Sequence, residues 1–341
     1  MELRTADYFD NFHCLAGACP QSCCAGWEVV IDPVSVAQYR ALPGPLGERL
    51  RAALKTEDGE AFFALTDSGR CPFWDEDGLC AIHRALGPEA TSEVCRSHPR
   101  FIEDYGTLRE TTLCASCPEA CRLLLASQTP LTFPLTRSEE PGEAPDTWLS
   151  PLLVCREKAL EILQNRARSL HSRLAELLVF GDACQALLDG DAAEGLPALC
   201  QSWDAPKAFI PTPGNGIFSH GWEILSGLEI LGDNWAALLR QGPQTVPGAA
   251  AEPLLERIAA YFLFRYFLKA MNDGDLLGRV EFLLFSTLTA ERLASLVGLP
   301  SALRLYCREI EHNEENLATL LTAFRTEPDL GLAAFLRTLK S

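Results

Sequence analysis

The sequence predicts a mainly α-helical protein whose N-terminal domain is loop-rich and built around cysteine. Ten of its 14 cysteines fall within the first 121 residues. Beyond residue 149, apolar side chains recur at three- and four-residue intervals, the period of a helix. Between these regions lie Pro130, Pro134, Pro141 and Pro145 among several Ser and Thr, with no apolar period. The expected layout is a cysteine-rich metal-binding domain over 1–125, a linker or extended wrap over 126–150 and an α-helical domain over 151–341. A chain of 341 residues has room for about two domains.

In the first segment Asp32 and Pro33 suit the N-cap and first position of a helix that continues through Val36 and Tyr39. Helical pattern resumes over 46–54. Cys71 to Cys80 reads as a tight hairpin turned by Asp77-Gly78. A short helix over 81–86 should stop at Gly87, and Pro118-Glu119 should start another that runs through Leu125. In the second segment helices are expected over 149–180, 217–240, 252–272, 275–297, 300–323 and 327–340. A Pro/Gly-rich loop is expected over 203–214, and no β run is convincing in this half.

Composition excludes several classes. With 22% charged and 48% hydrophobic residues the chain is not a disordered one. No run approaches the roughly 18 apolar residues of a membrane span. The most apolar stretch, 258–264, ends at Arg265. Residues 1–7 lack the basic and apolar regions of a secretory signal, so a cytoplasmic location is expected. The net charge of −17 argues against a nucleic-acid partner and weakly favours a basic partner or a lysine-bearing substrate. Solubility alone is the simpler reason for that acidity.

Clustered cysteines without a signal peptide point to metal or redox chemistry rather than disulfides. Zinc sites use cysteines two to four residues apart, because one short turn then aims two sulfurs at one ion. Cys19/Cys23 and Cys114/Cys117 fit that rule, and Cys71/Cys80 fits if a hairpin joins its ends. Iron–sulfur clusters also take four thiolates at more variable spacing, so spacing leaves zinc and iron–sulfur both open. The triplet Cys114-x2-Cys117-x3-Cys121 reverses the gaps of the usual radical S-adenosylmethionine triplet, which argues against that chemistry. Cys117 precedes a helix start, where the helix dipole should favour its thiolate. His13, His83 and His98 could each replace a thiol as ligand, although surface or cap roles suit them better. Cys155, Cys184, Cys200 and Cys307, scattered singly, read as small buried hydrophobes.

No zinc-protease, nucleophile-elbow, Walker or dinucleotide-binding motif occurs. The stretch Tyr261 to Lys269 is apolar all round and reads as a core helix. Arg265 within it needs a carboxylate, from the protein or from a ligand. In the stretch Arg308 to Asn316, His312 and Asn316 would share a helix face. That stretch reads as a solvated polar face, with a general base or substrate-binding carboxylate as the alternative.

Four blocks together resemble the flagellin lysine N-methylase family. They are Phe12-His-Cys14…Cys19…Cys23-Cys24-Ala-Gly26-Trp27…Asp32, Cys71-Pro-Phe-Trp…Gly78-Leu-Cys80-Ala-Ile82, Cys95-Arg-Ser-His-Pro99-Arg100 and Leu113…Ser116-Cys117-Pro-Glu119-Ala. Weaker likeness extends through Leu255-Glu-Arg…Phe264-Arg-Tyr-Phe267, Asp273-Gly-Asp275 and Glu311-His…Asn316. The resemblance implies methyl transfer from S-adenosylmethionine to lysine ε-amines of flagellin by a protein carrying a [4Fe-4S] cluster, with zinc as the alternative metal. It implies a metal set drawn from Cys14, Cys19, Cys23, Cys24, Cys71, Cys80, Cys95 and Cys117. Cys114 and Cys121 are extra to the family pattern, and His98 stands where an aromatic is expected. On this reading the cluster anchors the cofactor or organises its domain, and the lysine enters between the two domains. Arg100 and Arg265 would bind the cofactor carboxylate, and Glu311, as the catalytic candidate, would grip the lysine. The competing reading is a non-enzymatic cytoplasmic metal-binding module that binds a partner protein.

Overall fold

The computed structural model describes residues 1–26, 28–204, 216–242 and 251–339. Trp27 and most of the loop expected over 203–214 lie outside the described residues, as does the last residue of the helix expected over 327–340.

In chain order the elements begin with β1 (Glu2–Thr5), β2 (Val29–Ile31), α1 (Pro33–Ala41), α2 (Gly44–Ala53), β3 (Leu54–Glu57) and β4 (Glu60–Phe63). They continue with α3 (Ala81–Leu86), α4 (Glu93–Ser97), β5 (Arg100–Tyr105), β6 (Leu108–Leu113), α5 (Pro118–Leu124) and β7 (Leu135–Arg137). Helices follow: α6 (Leu149–Leu163), α7 (Leu170–Asp189), α8 (Leu196–Ser202), α9 (Phe218–Gly227), α10 (Asp233–Leu239) and α11 (Glu252–Tyr266). The last are α12 (Ala270–Asp273), α13 (Leu276–Val297), α14 (Leu299–Glu311), α15 (Glu314–Thr326) and α16 (Leu332–Thr338). The fold is mainly α, as the periodicity predicts.

The chain forms two compact units. One holds Met1–Asp10, Ile102–Thr112 and Arg122–Ser341; the other holds Asn11–Phe101 and Leu113–Cys121. The segments expected over 1–125, 126–150 and 151–341 therefore map onto these units unevenly. Residues 1–10 and 102–112 group with the helices, and the proline-rich stretch supplies β7.

The cysteine-bearing unit is built on β2-β4-β3. Asp58 and Gly59, with φ of 48° and 89°, make the two-residue turn between β3 and β4. Asp32 caps α1 by accepting from Ser35 N at 2.9 Å and Ser35 Oγ at 2.7 Å, and Pro33 stands in the first turn. The same carboxylate accepts from Glu93 N at 2.9 Å, so it also caps the approach to α4. Those donors hold Asp32 down to about 2, although partial burial works the other way. Asp32→Ala should cost about 1–2 kcal/mol in urea denaturation, the upper range for a cap because two helix starts lose an acceptor. Val29, Ile31, Tyr39, Leu50, Phe63, Phe73 and Ile82 form the core of this unit.

The tight turn expected over Cys71–Cys80 is present, closed by one antiparallel bridge rather than by extended strands. A single bridge joins Trp74 to Cys80, Asp75 N donates to Leu79 O, and Gly78 takes φ 78°. As expected, α3 ends at Gly87, whose φ is 88°.

In the other unit β1 lies between β6, parallel, and β7, antiparallel, giving the order β5-β6-β1-β7. The single helix expected over 149–180 is two, α6 and α7. The first ends at Leu163, and Ser169 starts the second by accepting from Ser172 N. The expected 217–240 likewise divides into α9 and α10 around Gly232. α11 is buried from Leu255 through Tyr266, as an all-apolar pattern requires. α13 runs beside α7, where a Cβ on Gly181 would come within 3.0 Å of Val280. Among the described residues no helix is long and apolar enough to cross a membrane.

Candidate functional site

In the cysteine-bearing unit, all ten early cysteines are free thiols. Two sequence groups converge through the turns described above: Cys71 N donates to Cys24 O at 2.8 Å, and Cys80 follows directly on the turn. Cys23 and Cys24 share a hydrogen bond that holds Cys23 up and Cys24 down to about 6. Burial pushes Cys71 up to about 12 and Cys95 up to about 11, and Cys80 rises for the same reason. Negative charge on Cys24 would raise Cys71, Cys80 and Cys95 further, so these four sulfurs lie within electrostatic reach of one another. Cys117 similarly feels Cys14 and Cys19.

Cys117 departs from expectation. The N–H groups of Glu119 and Ala120 do favour its thiolate, as the dipole argument requires, but burial outweighs them and holds the thiol above its ordinary value. Cys114 and Cys121 are fully buried, and Cys114 donates to Ser116 Oγ at 3.1 Å. His13 and His83 are exposed. Arg100 lies over the Phe12 ring at 5.3 Å.

Among the described residues, no group of three or more His, Cys, Asp or Glu side chains is placed to hold a metal ion. The donor chemistry, however, suits zinc or an iron–sulfur cluster: soft sulfur ligands that a cation would relieve of mutual repulsion.

In the helical unit the sequence candidates Arg265 and Glu311 find each other. Tyr261 and Arg265 are four residues apart on α11 and so face the same way. Glu311 ends α14 with its side chain wholly buried. Its carboxylate accepts from Arg265 Nε at 2.7 Å, from Tyr261 Oη at 2.9 and 3.0 Å, and from Tyr266 Oη at 3.0 Å. Arg265 Nη1 also donates to Thr112 Oγ1 at 3.3 Å on β6. The carboxylate that Arg265 needs is thus supplied by the protein. A second buried pair lies nearby in sequence on β6, where Glu110 takes both guanidinium arms of Arg156 at 2.5 and 2.6 Å. Tyr105, held between Glu110, Glu103, Arg156 and Arg265, is pushed well above the usual phenol range, chiefly by burial.

The stretch 308–316 is not a solvated face. The expected helix over 300–323 divides at His312 and Asn313: His312 is the C-cap of α14, and Asn313 caps α15 by accepting from Asn316 N. His312 and Asn316 therefore do not share a face, because a side-chain cap interrupts the helix between them. Burial depresses His312. Asn316 is itself buried and ties the chain together, donating to Glu229 O and Glu309 O and accepting from Glu229 N. Tyr261, Tyr266, Thr112, Glu110 and Arg156 escaped sequence reasoning. Only the Tyr261/Arg265 spacing signalled anything, and the aromatics around it masked that signal.

The flagellar biosynthetic protein FliU of Salmonella muenchen is 29% identical to this chain over 131 residues, which cover 35% of the chain and 73% of FliU. Lysine-N-methylases of Salmonella choleraesuis and Salmonella typhimurium are each 29% identical over 124 residues, again 35% of the chain. The chain is similar to the lysine N-methylases. The resemblance read from the cysteine blocks thus stands on relatives of that name. The matched region spans only 31% of the length of those two lysine-N-methylases. No protein-family profile matches the chain, and no solved structure does.

Proposed function

We propose that the protein transfers a methyl group from S-adenosylmethionine to lysine ε-amines of a protein substrate, flagellin by family resemblance. Similarity to the two lysine-N-methylases carries this reading. S-adenosylmethionine, when bound, supplies a methyl group on a positively charged sulfur. The chain's own task is to present a lysine as the neutral amine, in line with that methyl, by burial or a nearby carboxylate.

The side-chain partners refine the roles. Arg265 is matched by Glu311, and on the family resemblance we assign the cofactor carboxylate to Arg100, which lies over the Phe12 ring. Glu311, locked by three donors, acts as a positioning group that fixes α11 against α14. A four-iron cluster or a zinc ion would be held by thiols from the set Cys14, Cys19, Cys23, Cys24, Cys71, Cys80, Cys95 and Cys117. The mutually coupled Cys24, Cys71, Cys80 and Cys95 are the first choice.

Anaerobic purification with iron, sulfide and zinc analysis, followed by calorimetric titration with S-adenosylmethionine, tests this reading. Saturable binding is expected, weakened roughly 10- to 100-fold in Arg100→Ala, the loss of a charge-assisted hydrogen bond. Metal should be present and fall in Cys71→Ser. Protein that binds no S-adenosylmethionine would overturn the assignment and favour a non-enzymatic metal-binding module.

A further inference from the structure

The four late cysteines are buried, as their scatter suggests, but three are not separate. Cys155 on α6, Cys184 on α7 and Cys200 on α8 meet in the interior of the helical unit. Cys155 Sγ lies 3.4 Å from Cys200 Sγ and 3.9 Å from Cys184 Sγ. None of them belongs to the set assigned to metal.

We propose that Cys155 and Cys200 are an oxidation site, joined by peroxides into a reversible disulfide that ties α8 to α6. Their sulfurs are in van der Waals contact, and a disulfide needs a further approach of about 1.4 Å, within reach of side-chain rotation and a small shift of a short helix. α8 has only seven residues, so it opens more readily than the long α6 and α7. Cys200 retains 3% exposure whereas Cys155 and Cys184 have none. The hydrogen bond to Cys155 and burial hold the Cys200 thiol far above its ordinary value, and the charge of Lys158, one turn along from Cys155, offsets only part of that. The residual exposure and the short helix make Cys200 the sulfur that peroxide reaches and oxidises first.

The chemistry balances with a peroxide as oxidant. The Cys200 thiolate attacks one peroxide oxygen, the O–O bond breaks, and the departing oxygen leaves as water (or an alcohol), giving a sulfenic acid. Cys155, at 3.4 Å, then attacks that sulfur; the S–S bond forms and the sulfenic oxygen leaves as water. Two thiol hydrogens and two electrons pass to the peroxide, and a low-molecular-weight thiol reverses the step. Cys184, lying further from Cys155, is the spectator. The hydrogen bonds between the sulfurs, together with burial, keep Cys155 and Cys200 largely protonated, so the reaction is slow and selective for oxidising conditions.

The test treats the full chain with hydrogen peroxide, blocks free thiols with an alkylating reagent, and maps disulfides by mass spectrometry. A cross-linked pair containing Cys155 and Cys200 is expected, absent in Cys155→Ser and in Cys200→Ser and retained in Cys184→Ser. Oxidation should raise the melting temperature of the parent by roughly 5 °C, since the bond closes a long loop, and dithiothreitol should restore it. Recovery of Cys155 and Cys200 as alkylated free thiols from the unfolded parent protein, after treatment that oxidises its exposed cysteines, would overturn the proposal. That mapping requires no variant, so a misfolded substitution cannot obscure it.

Discussion

Glu311→Ala should destabilise the protein by about 3–5 kcal/mol, measured as a drop in the denaturant midpoint at pH 7. The value follows from removing one partner of a fully buried ion pair, which leaves the other charge uncompensated. With the carboxylate gone, Arg265 loses the partner it holds at 2.7 Å, and Tyr261 and Tyr266 lose the hydrogen bonds they donate to it. Glu311→Gln should cost less, because its oxygen can still accept from a tyrosine while the charge is lost. Combining Glu311→Leu with Arg265→Met should recover much of the loss, since two apolar groups pay no desolvation penalty. A cost below 1 kcal/mol for Glu311→Ala, the value of an exposed pair, would contradict the buried geometry.

The second large effect is pH dependence set by Glu281 on α13. Burial raises its carboxyl to about 9, and the charges of Asp275, the cap of α13, and Asp182 on the neighbouring α7 add to the rise. A carboxyl raised on folding contributes stability while it is protonated. That stability is complete below about 4.5, the unfolded value, and drains away as pH climbs through about 9. Glu309 on α14, raised to about 7 mainly by burial against the pull of Leu231 N, adds a smaller loss of the same sign that ends earlier. The protein should therefore unfold more easily at pH 9 than at pH 6. Glu281→Gln keeps a neutral side chain at every pH. It should match the parent near pH 5 and exceed it by several kcal/mol near pH 10, at about 1.4 kcal/mol for each pH unit by which folding displaces the titration. Parallel pH profiles for the two proteins would show that Glu281 is not protonated in the folded state.

Both effects lie where the chain's local pattern is silent. The all-apolar period of 252–266 says that α11 is buried, and the structure agrees. It does not say that Arg265 will meet a residue 46 positions away, because that contact depends on how α11 and α14 pack. Helix starts with a strong local device, such as Asp32-Pro33 and Pro118, are legible because capping is a short-range interaction. The breaks ahead of Ser169 and Asn313 are not, because they fall in short polar runs that the solvated face of one continuous helix would also carry. The β3–β4 hairpin carries a two-residue turn signal in Asp58-Gly59, but its strands alternate weakly and the cysteines around them dominate the reading. β1 and β7 pair across more than 130 residues, so no local signal could reveal them. At the cysteines, spacing identifies the sulfur-rich chemistry. The approach of Cys24 to Cys71, with Cys80 just beyond, depends on the turn at 75–79 and on the backbone pairing of residues 24 and 71.

The most direct test of the account is methyl transfer itself. Anaerobically purified protein would be incubated with methyl-labelled S-adenosylmethionine and unmodified flagellin, and labelled lysines located by mass spectrometry. The account predicts label on lysine ε-amines, strongly reduced with Arg100→Ala and with Cys71→Ser. Flagellin and other lysine-bearing proteins left unlabelled by protein that retains its metal and binds S-adenosylmethionine would contradict it.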